Sequence, residues 1–365
     1  MKSFSPLYYI RENRLRSVLL ISMFVLSYIA WLGGLYVTNN SDMFGISMEI
    51  FDKCAVIYPL SDEDDWEELD KAEKAAEKEE GVTVMQQGVV SSIMFQSIMA
   101  YKTAFFGTSF CSVEDFKEYC RVQGISCDFS RLKCGSVIMG GLAAKNRGMK
   151  TGDKLIEKEG ENIYGSYTLD AVIDSLGYEV YYIDQGKNGT NYSYILLADG
   201  MSEQEFAKYT KSMGEEFSIQ VINKEYCKDM ISRQLNSLNY IYIFIVILLA
   251  VVMAVTINAA FVGMYQHREP EFAIYRAIGI SKWQIIGKVT GELLLMDIIG
   301  ILTGGVILFT GVYLFNNLYL LPRGLVLFYY HPLALGGMLF CNLMVLIPLI
   351  LTRSRQLLRA DVCEY

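Results

Sequence analysis

Residues 268–279 read REPEFAIYRAIG, and residues 281–284 continue as SKWQ. This charged, helix-forming stretch sits between two long apolar runs, residues 239–264 and 289–315, and that position decides the fold. Pro270 suits the first turn of a helix, where a missing N–H costs nothing. Gly279 suits the left-handed position that ends one. Ser281 as N-cap with Gln284 three residues on forms a capping box that starts a second helix. The spacing therefore predicts a short helix, a tight turn and a long helix. Phe272, Tyr275 and Ile278 recur every three residues and share a face, while Glu271 and Arg276 point elsewhere. A short amphipathic helix between two apolar runs can rest on lipid or present itself to a protein, and these residues alone leave both open.

Working outward, the chain has 365 residues, of which 52% are hydrophobic and 20% charged, so the two classes must be segregated along it. A helix needs about 20 apolar residues to cross roughly 30 Å of hydrocarbon. Four stretches qualify: residues 17–37, 239–264, 289–315 and 331–352. The first follows Arg11, Arg14 and Arg16 but is too long for a signal-peptide core and lacks a small-residue cleavage site, so it is read as a span. Lys and Arg cluster before residue 17, at Arg268, Arg276, Lys282 and Lys288, and at Arg353, Arg355 and Arg359; the 316–330 loop has only Arg323. The positive-inside rule then puts both termini and residues 265–288 in the cytoplasm and residues 38–238 outside. The expected class is a multi-pass cell-membrane protein with four transmembrane helices and an α+β extracytoplasmic domain inserted between spans 1 and 2.

The expected order is an amphipathic helix over 1–16, spans at 17–37, 239–264, 289–315 and 331–352, the outer domain at 38–238, a cytoplasmic segment at 265–288, an outer loop at 316–330 and a cytoplasmic tail at 353–365. The 38–238 segment has 20 Lys and Arg against 33 Asp and Glu, a net charge near −13. That acidity argues against nucleic acid as a partner. Within it CAVIYPL (54–60) reads as a strand, and residues 61–81 as a helix with a narrow stripe of Trp66, Leu69, Ala72 and Ala76 lying on a sheet. Residues 82–97 suggest strands, residues 112–124 a helix capped by Ser112, and residues 202–214 another helix. KCGSVIMG, YEVYYIDQ, NYSYILLAD and FSIQVIN are further strands. The irregular alternation favours α+β.

Six of the eight cysteines lie in this segment, four of them within 24 residues. Cys111, Cys120, Cys127 and Cys134 are the disulfide candidates, with connectivity open. No CxxC pair and no nearby histidine point to a metal, and none is expected. No G-x-x-x-x-G-K-[ST] is present and His267 and His331 are the only histidines, so no catalytic residues and no enzymatic activity are assigned to this chain.

REPEFAIYRAIGISKWQIIGKVTGELLLMDIIGILTGG (268–305) resembles the cytoplasmic loop and third span of the MacB/FtsX-type ABC transporter permeases. The match uses Glu271, Ala273, Ile274, Arg276, Ala277, Gly279 and Ser281, then Glu292, Gly300 and Gly304. VIMGGLAAKNRGMKTGDKL (137–155) is similar to that family's outer domain through Leu142, Ala143, Gly148, Gly152 and Asp153; its last part also looks like a PDZ core, where such a turn precedes a buried strand. Pro270 and Asp297 depart from the pattern. The resemblance implies that residues 265–288 form a coupling helix on a separate ABC ATPase, with Glu271, Phe272, Tyr275, Arg276, Ala277, Ile278, Gly279 and Ser281 as coupling residues, and the face of Phe272, Tyr275 and Ile278 against the ATPase or the helix packing. It further implies two ATPase copies that bind ATP and magnesium, no cofactor in this chain, a second permease protomer identical or related, and movement passed to the outer domain. Two uses follow: export of a peptide, antimicrobial or lipid-linked substrate with an accessory protein outside, or FtsX-like control of a cell-wall hydrolase.

Glu292 lies one turn inside the cytoplasmic border and Asp297 deeper. Intramembrane carboxylates are costly and usually face protein or water, so Asp297 is expected to contact another span or the partner protomer. Gly300 and Gly304 form a small-xxx-small pair, which predicts that this face of span 3 packs tightly on a helix.

Overall fold

The computed structural model describes residues 14–60, 66–87, 91–99, 102–184, 193–266 and 268–359. Of the expected 1–16 helix, residues up to 13 lie outside these, as do residues 360–365 of the tail. The chain divides into two units: one holds Met1–Thr38, Ser237–Phe315 and Phe328–Tyr365, the other Asn39–Asn236 with Asn316–Leu327.

The second unit is built on an eight-stranded mixed sheet. Its strands are β1 (Cys54–Tyr58), β2 (Val82–Gln87), β5 (Thr108–Phe110), β6 (Ser136–Gly140), β7 (Thr168–Ile173), β8 (Val180–Ile183), β9 (Ser193–Ala198) and β10 (Gln220–Ile222), in the order β10-β1-β9-β2-β5-β8-β6-β7. β5 pairs with β8 and β6 with β7 in parallel; the remaining pairs are antiparallel. Two further strands, β3 (Ser92–Gln96) and β4 (Lys102–Phe106), form a separate antiparallel pair.

Strand residues alternate between two faces, so one apolar run can feed two cores. In β1 and β9, Cys54, Ile195 and Leu197 point into a cluster with Phe110, Phe116, Tyr119 and Tyr181. Ala55, Ile57, Leu196 and Ala198 point the other way, onto Leu69, Ala72, Phe206 and Met213. Helix α4 (Val113–Gln123) supplies the first cluster, and α3 (Trp66–Ala76) and α6 (Glu203–Glu216) the second. The stripe read on α3 is the face that Leu69, Ala72 and Ala76 bury. Ser112 caps α4 by accepting the Asp115 N–H, and a full capping box of Ser202 and Glu205 opens α6.

Sequence patterning did not single out β4, β5, β7 or the short helix α5 (Gly141–Arg147). β5 and α5 are too short for a period to emerge, and β4 is half exposed. After the Gly152 turn, residues 152–155 run antiparallel to the start of β7: Gly152 N–H donates to Leu169 O at 2.7 Å, Leu169 N–H to Asp153 O at 2.9 Å and Leu155 N–H to Tyr167 O at 2.8 Å, with Leu155 buried.

The first unit is helical. α7 (Lys224–Gln266), α8 (Glu269–Ala277), α9 (Lys282–Phe315) and α10 (Pro332–Arg359) follow the α/β segment in the chain. Three segments among the described residues are long and apolar enough to cross a membrane: Asn236–Ala259, Lys282–Arg323 and Pro332–Thr352.

Residues 17–37, expected as one span, do not run as a single helix. They are divided between α1 (Arg14–Val25) and α2 (Tyr28–Ser47) by a turn at Leu26 and Ser27. The Ser27 hydroxyl donates to the Phe24 carbonyl at 2.7 Å, and the N–H groups of Ser27, Ile29 and Ala30 reach carbonyls three residues back. Such local bonding competes with the regular helix ladder. α2 then continues past the polar TNNSD, where the span was expected to stop.

Candidate functional site

The site is built where α8 turns into α9. Pro270 sits in the first turn of α8. At the other end Ile280 N–H donates to Tyr275 O and Gly279 N–H to Arg276 O, each at 3.0 Å, with Gly279 at φ +89°. These two bonds make a Schellman motif around a left-handed glycine. Two residues on, Gln284 N–H donates to Ser281 Oγ at 3.3 Å and Ser281 N–H to Gln284 Oε1 at 3.0 Å. The turn is thus specified by bonds that span no more than five residues, which is why it was readable as sequence.

The inner side of α8 carries a charged cluster that no local pattern announced. Arg268 donates to both Glu292 oxygens, at 2.6 and 3.3 Å, and through Nε to Glu271 at 2.9 Å. Lys288 Nζ donates to Glu271 at 3.1 Å and to the Tyr275 hydroxyl at 2.8 Å, and that hydroxyl donates to Glu271 at 2.8 Å. The Arg268 guanidinium also lies 5.0 Å from the Phe272 ring centre, and the Lys288 ammonium 4.4 Å from that of Tyr275. Among the described residues two cations face two carboxylates. Arg268, Lys288 and Glu292 are all buried. Buried charges persist when paired and hydrogen-bonded in this way, and the cluster clasps α8 onto α9.

Burial by itself pushes the Glu271 carboxyl up, but Arg268, Tyr275 and Lys288 outweigh it and hold the group down at about 2. A folded value below the unfolded carboxylate range of about 4.3 means that Glu271 stabilises the fold when ionised. That contribution is complete above about pH 5 and fades as pH falls toward 2. Thermal unfolding followed over this range is expected to show a shallower loss on acidification in Glu271→Gln than in the unchanged chain. Equal slopes would remove Glu271 from the clasp's electrostatics.

The side of α8 turned away from the clasp is apolar and open. Ile274 is 62% exposed, Ile278 68% and, at the start of α9, Trp283 71%. Phe272, by contrast, is 4% exposed and belongs to the helical core with Ile285, Val289 and Leu293. The face expected from Phe272, Tyr275 and Ile278 is therefore split: Phe272 packs inward, Tyr275 joins the clasp, and only Ile278 looks out. Spacing of three drifts around a helix of 3.6 residues per turn, whereas Ile274 and Ile278, four apart, stay together. That i, i+4 pair was the signal available. Ala277 and Gly279 are exposed beside it, and Arg276 is half-buried.

Deeper in α9, Glu292 is accounted for by Arg268. Asp297 is buried, and its Oδ1 has no hydrogen-bond partner among the described residues. Gly300 and Gly304 do pack tightly, against the first helical segment: a Cβ on Gly300 would lie 2.7 Å from that of Phe24, and one on Gly304 2.4 Å from the Tyr28 ring. Tyr28 completes the fit by donating to the Ile301 carbonyl at 2.7 Å.

Cys111, Cys120, Cys127 and Cys134 are unbridged. Cys120 faces the sheet from α4, where burial pushes its thiol up to about 12, while Cys134 is exposed. Among the described residues no three His, Cys, Asp or Glu side chains gather as metal ligands.

Residues 242–357 match the family model described as FtsX-like permease C-terminal. The matched stretch contains the whole clasp, the exposed Ile274, Ile278 and Trp283, and the Gly300–Gly304 seam. No curated protein matches the chain.

Proposed function

We propose that this chain is the permease subunit of an ABC system of the MacB/FtsX kind and that α8 seats a separate ABC ATPase. The observation that carries the reading is the two-sidedness of α8: one side is ion-paired into α9, the other offers Ile274, Ile278 and Trp283 to an apolar partner. A helix held by buried charge pairs moves with the helix it is paired to, so displacement at the exposed side passes into α9. The FtsX-like match over residues 242–357 supports the same reading, since permeases of this family generally work with an ABC ATPase.

In this reading the chain crosses the membrane four times, with both termini and α8 on the ATPase side and the acidic α/β unit on the other. Two ATPase copies bind ATP and magnesium, two permease protomers pair, and closure of the ATPases moves the helices. The use we favour is export of a peptide, antimicrobial or lipid-linked substrate handled by the α/β unit.

The test is co-purification of the full-length chain with its co-expressed ABC ATPase. Each buried isoleucine is worth about 1.5–3 kcal/mol, and each 1.4 kcal/mol is tenfold in affinity. The Ile274→Glu, Ile278→Glu double variant is therefore expected to retain at least tenfold less ATPase while its thermal midpoint stays put, both side chains being exposed. Wild-type retention in the double variant would sink the docking face, and a parent chain that holds no ATPase would sink the permease reading.

A further inference from the structure

The connection between α9 and α10 packs as part of the α/β unit, and one glycine is its anchor. Gly324 ends the short turn Leu321–Arg323 at φ +63°. A Cβ there would stand 2.2 Å from the Asn146 backbone N and 2.3 Å from the Leu142 carbonyl, so α5 receives the chain with no room for a side chain. The Gly324 carbonyl accepts from the Tyr178 hydroxyl at 2.9 Å and from Asn146 Nδ2 at 3.3 Å. Asn316 closes the base of the connection, donating to Leu327 O at 2.8 Å and accepting its N–H at 2.9 Å.

Both donors to Gly324 also hold the β3–β4 pair. Asn146 exchanges two bonds with the Gln96 backbone, Nδ2 to O and N–H to Oδ1, each at 2.9 Å. The Tyr178 ring, fully buried, lies 5.9 Å from the rings of both Phe95 on β3 and Phe105 on β4, which are themselves 5.2 Å apart. α5 is fixed beneath this junction. The N–H groups of Leu142 and Ala143 donate to Gly177 O, and the buried Arg147 pairs with Glu161, which accepts the Met94 N–H on β3 at 3.0 Å. The β3 strand is therefore tied to Gly324 by two routes, one polar through Asn146 and one aromatic through Tyr178.

We propose that the α9–α10 connection is a strap coupled to the β3–β4 hairpin, so that releasing Gly324 loosens β3, which stands well over 200 residues earlier in the chain. The use of such a strap, delivering helix movement to β3–β4 as the output of the α/β unit, rests on the permease reading; the coupling itself does not. Hydrogen–deuterium exchange on the full-length chain in detergent, without ATP or ATPase, tests it.

In Gly324→Val, exchange is expected to rise at least tenfold both over residues 316–327 and over residues 92–96, with β9 and β2 unchanged. In Asn146→Ala the same two segments should respond, Gln96 most of all because its N–H loses its acceptor. Should β9 exchange rise in Gly324→Val, marking general unfolding, Tyr178→Phe takes its place, since it removes only the hydroxyl that Gly324 accepts from. The proposal is overturned if residues 316–327 loosen while residues 92–96 keep parental protection, or if neither segment responds. Failure of ATPase co-purification leaves this result untouched, so the two readings fail separately.

Discussion

Replacing Arg268 with alanine is expected to cost about 3–5 kcal/mol, the usual penalty for removing one partner of a buried ion pair. Glu292 would be left with a carboxyl that is 2% exposed and stripped of its cation, and its two bonds from the guanidinium are the only hydrogen bonds to that group found among the described residues. Glu271 would keep Lys288 and Tyr275, so the damage should concentrate on the α9 side. Replacing both members, Arg268→Met with Glu292→Leu, removes the stranded carboxyl and should recover most of the loss, because apolar side chains of similar volume often match a buried pair. Unfolding of the purified protein in detergent, by heat or denaturant, compares the three chains. If the single variant is no worse than the double, the pair is not holding α8 to α9 in the manner described.

The second large effect is expected at the glycine seam. Gly304→Leu would drive a side chain into the Tyr28 ring, whose nearest atoms stand 2.4 Å from the position a Cβ would take. Overpacking of this kind costs about 1–3 kcal/mol, and the Tyr28 bond to Ile301 O, worth about 1 kcal/mol more, would go with it. The displacement would also disturb Trp31, which stacks on Tyr28 at 5.6 Å and meets Phe309 edge-on at 5.8 Å. Gly311 provides the control on the same helix, since a Cβ there meets nothing within 4 Å. Gly311→Leu should be neutral or stabilising by up to about 1 kcal/mol, as removing glycine from a helix interior usually is. Opposite signs at the two positions are the expected result, and equal effects would mean that the seam is not tight.

Legibility followed the range of the interactions. The turn from α8 to α9 was readable because Gly279, Ser281 and Gln284 act over a few residues and each has one favoured role. The α3 stripe and the cap of α4 were readable for the same reason. The break at Leu26 and Ser27 was not, because nothing in an apolar run says that a serine will turn its hydroxyl back on Phe24 or that Tyr28 will find a gap at Gly304, 276 positions away. Whether Phe272 met a partner or packed the helix was left open, since a spacing of three on so short a helix does not separate the two faces; the structure buries it in the helical core.

What the sequence by itself determined is the division of labour: which runs are apolar enough to cross a membrane, where acid and base are segregated, where the helix between spans begins and ends, and that Gly300 and Gly304 make a surface for close packing. Only the tertiary structure decided which charges meet. Arg268 and Glu292 are 24 residues apart, and either could equally have faced water, lipid headgroups or one another. It also decided that Ile274 and Ile278, rather than Phe272, remain open to a partner, and that Gly324 is gripped by Tyr178 and Asn146. Local geometry is written in neighbouring residues, whereas the choice of a distant partner depends on how whole elements pack, and no short window of sequence carries that information.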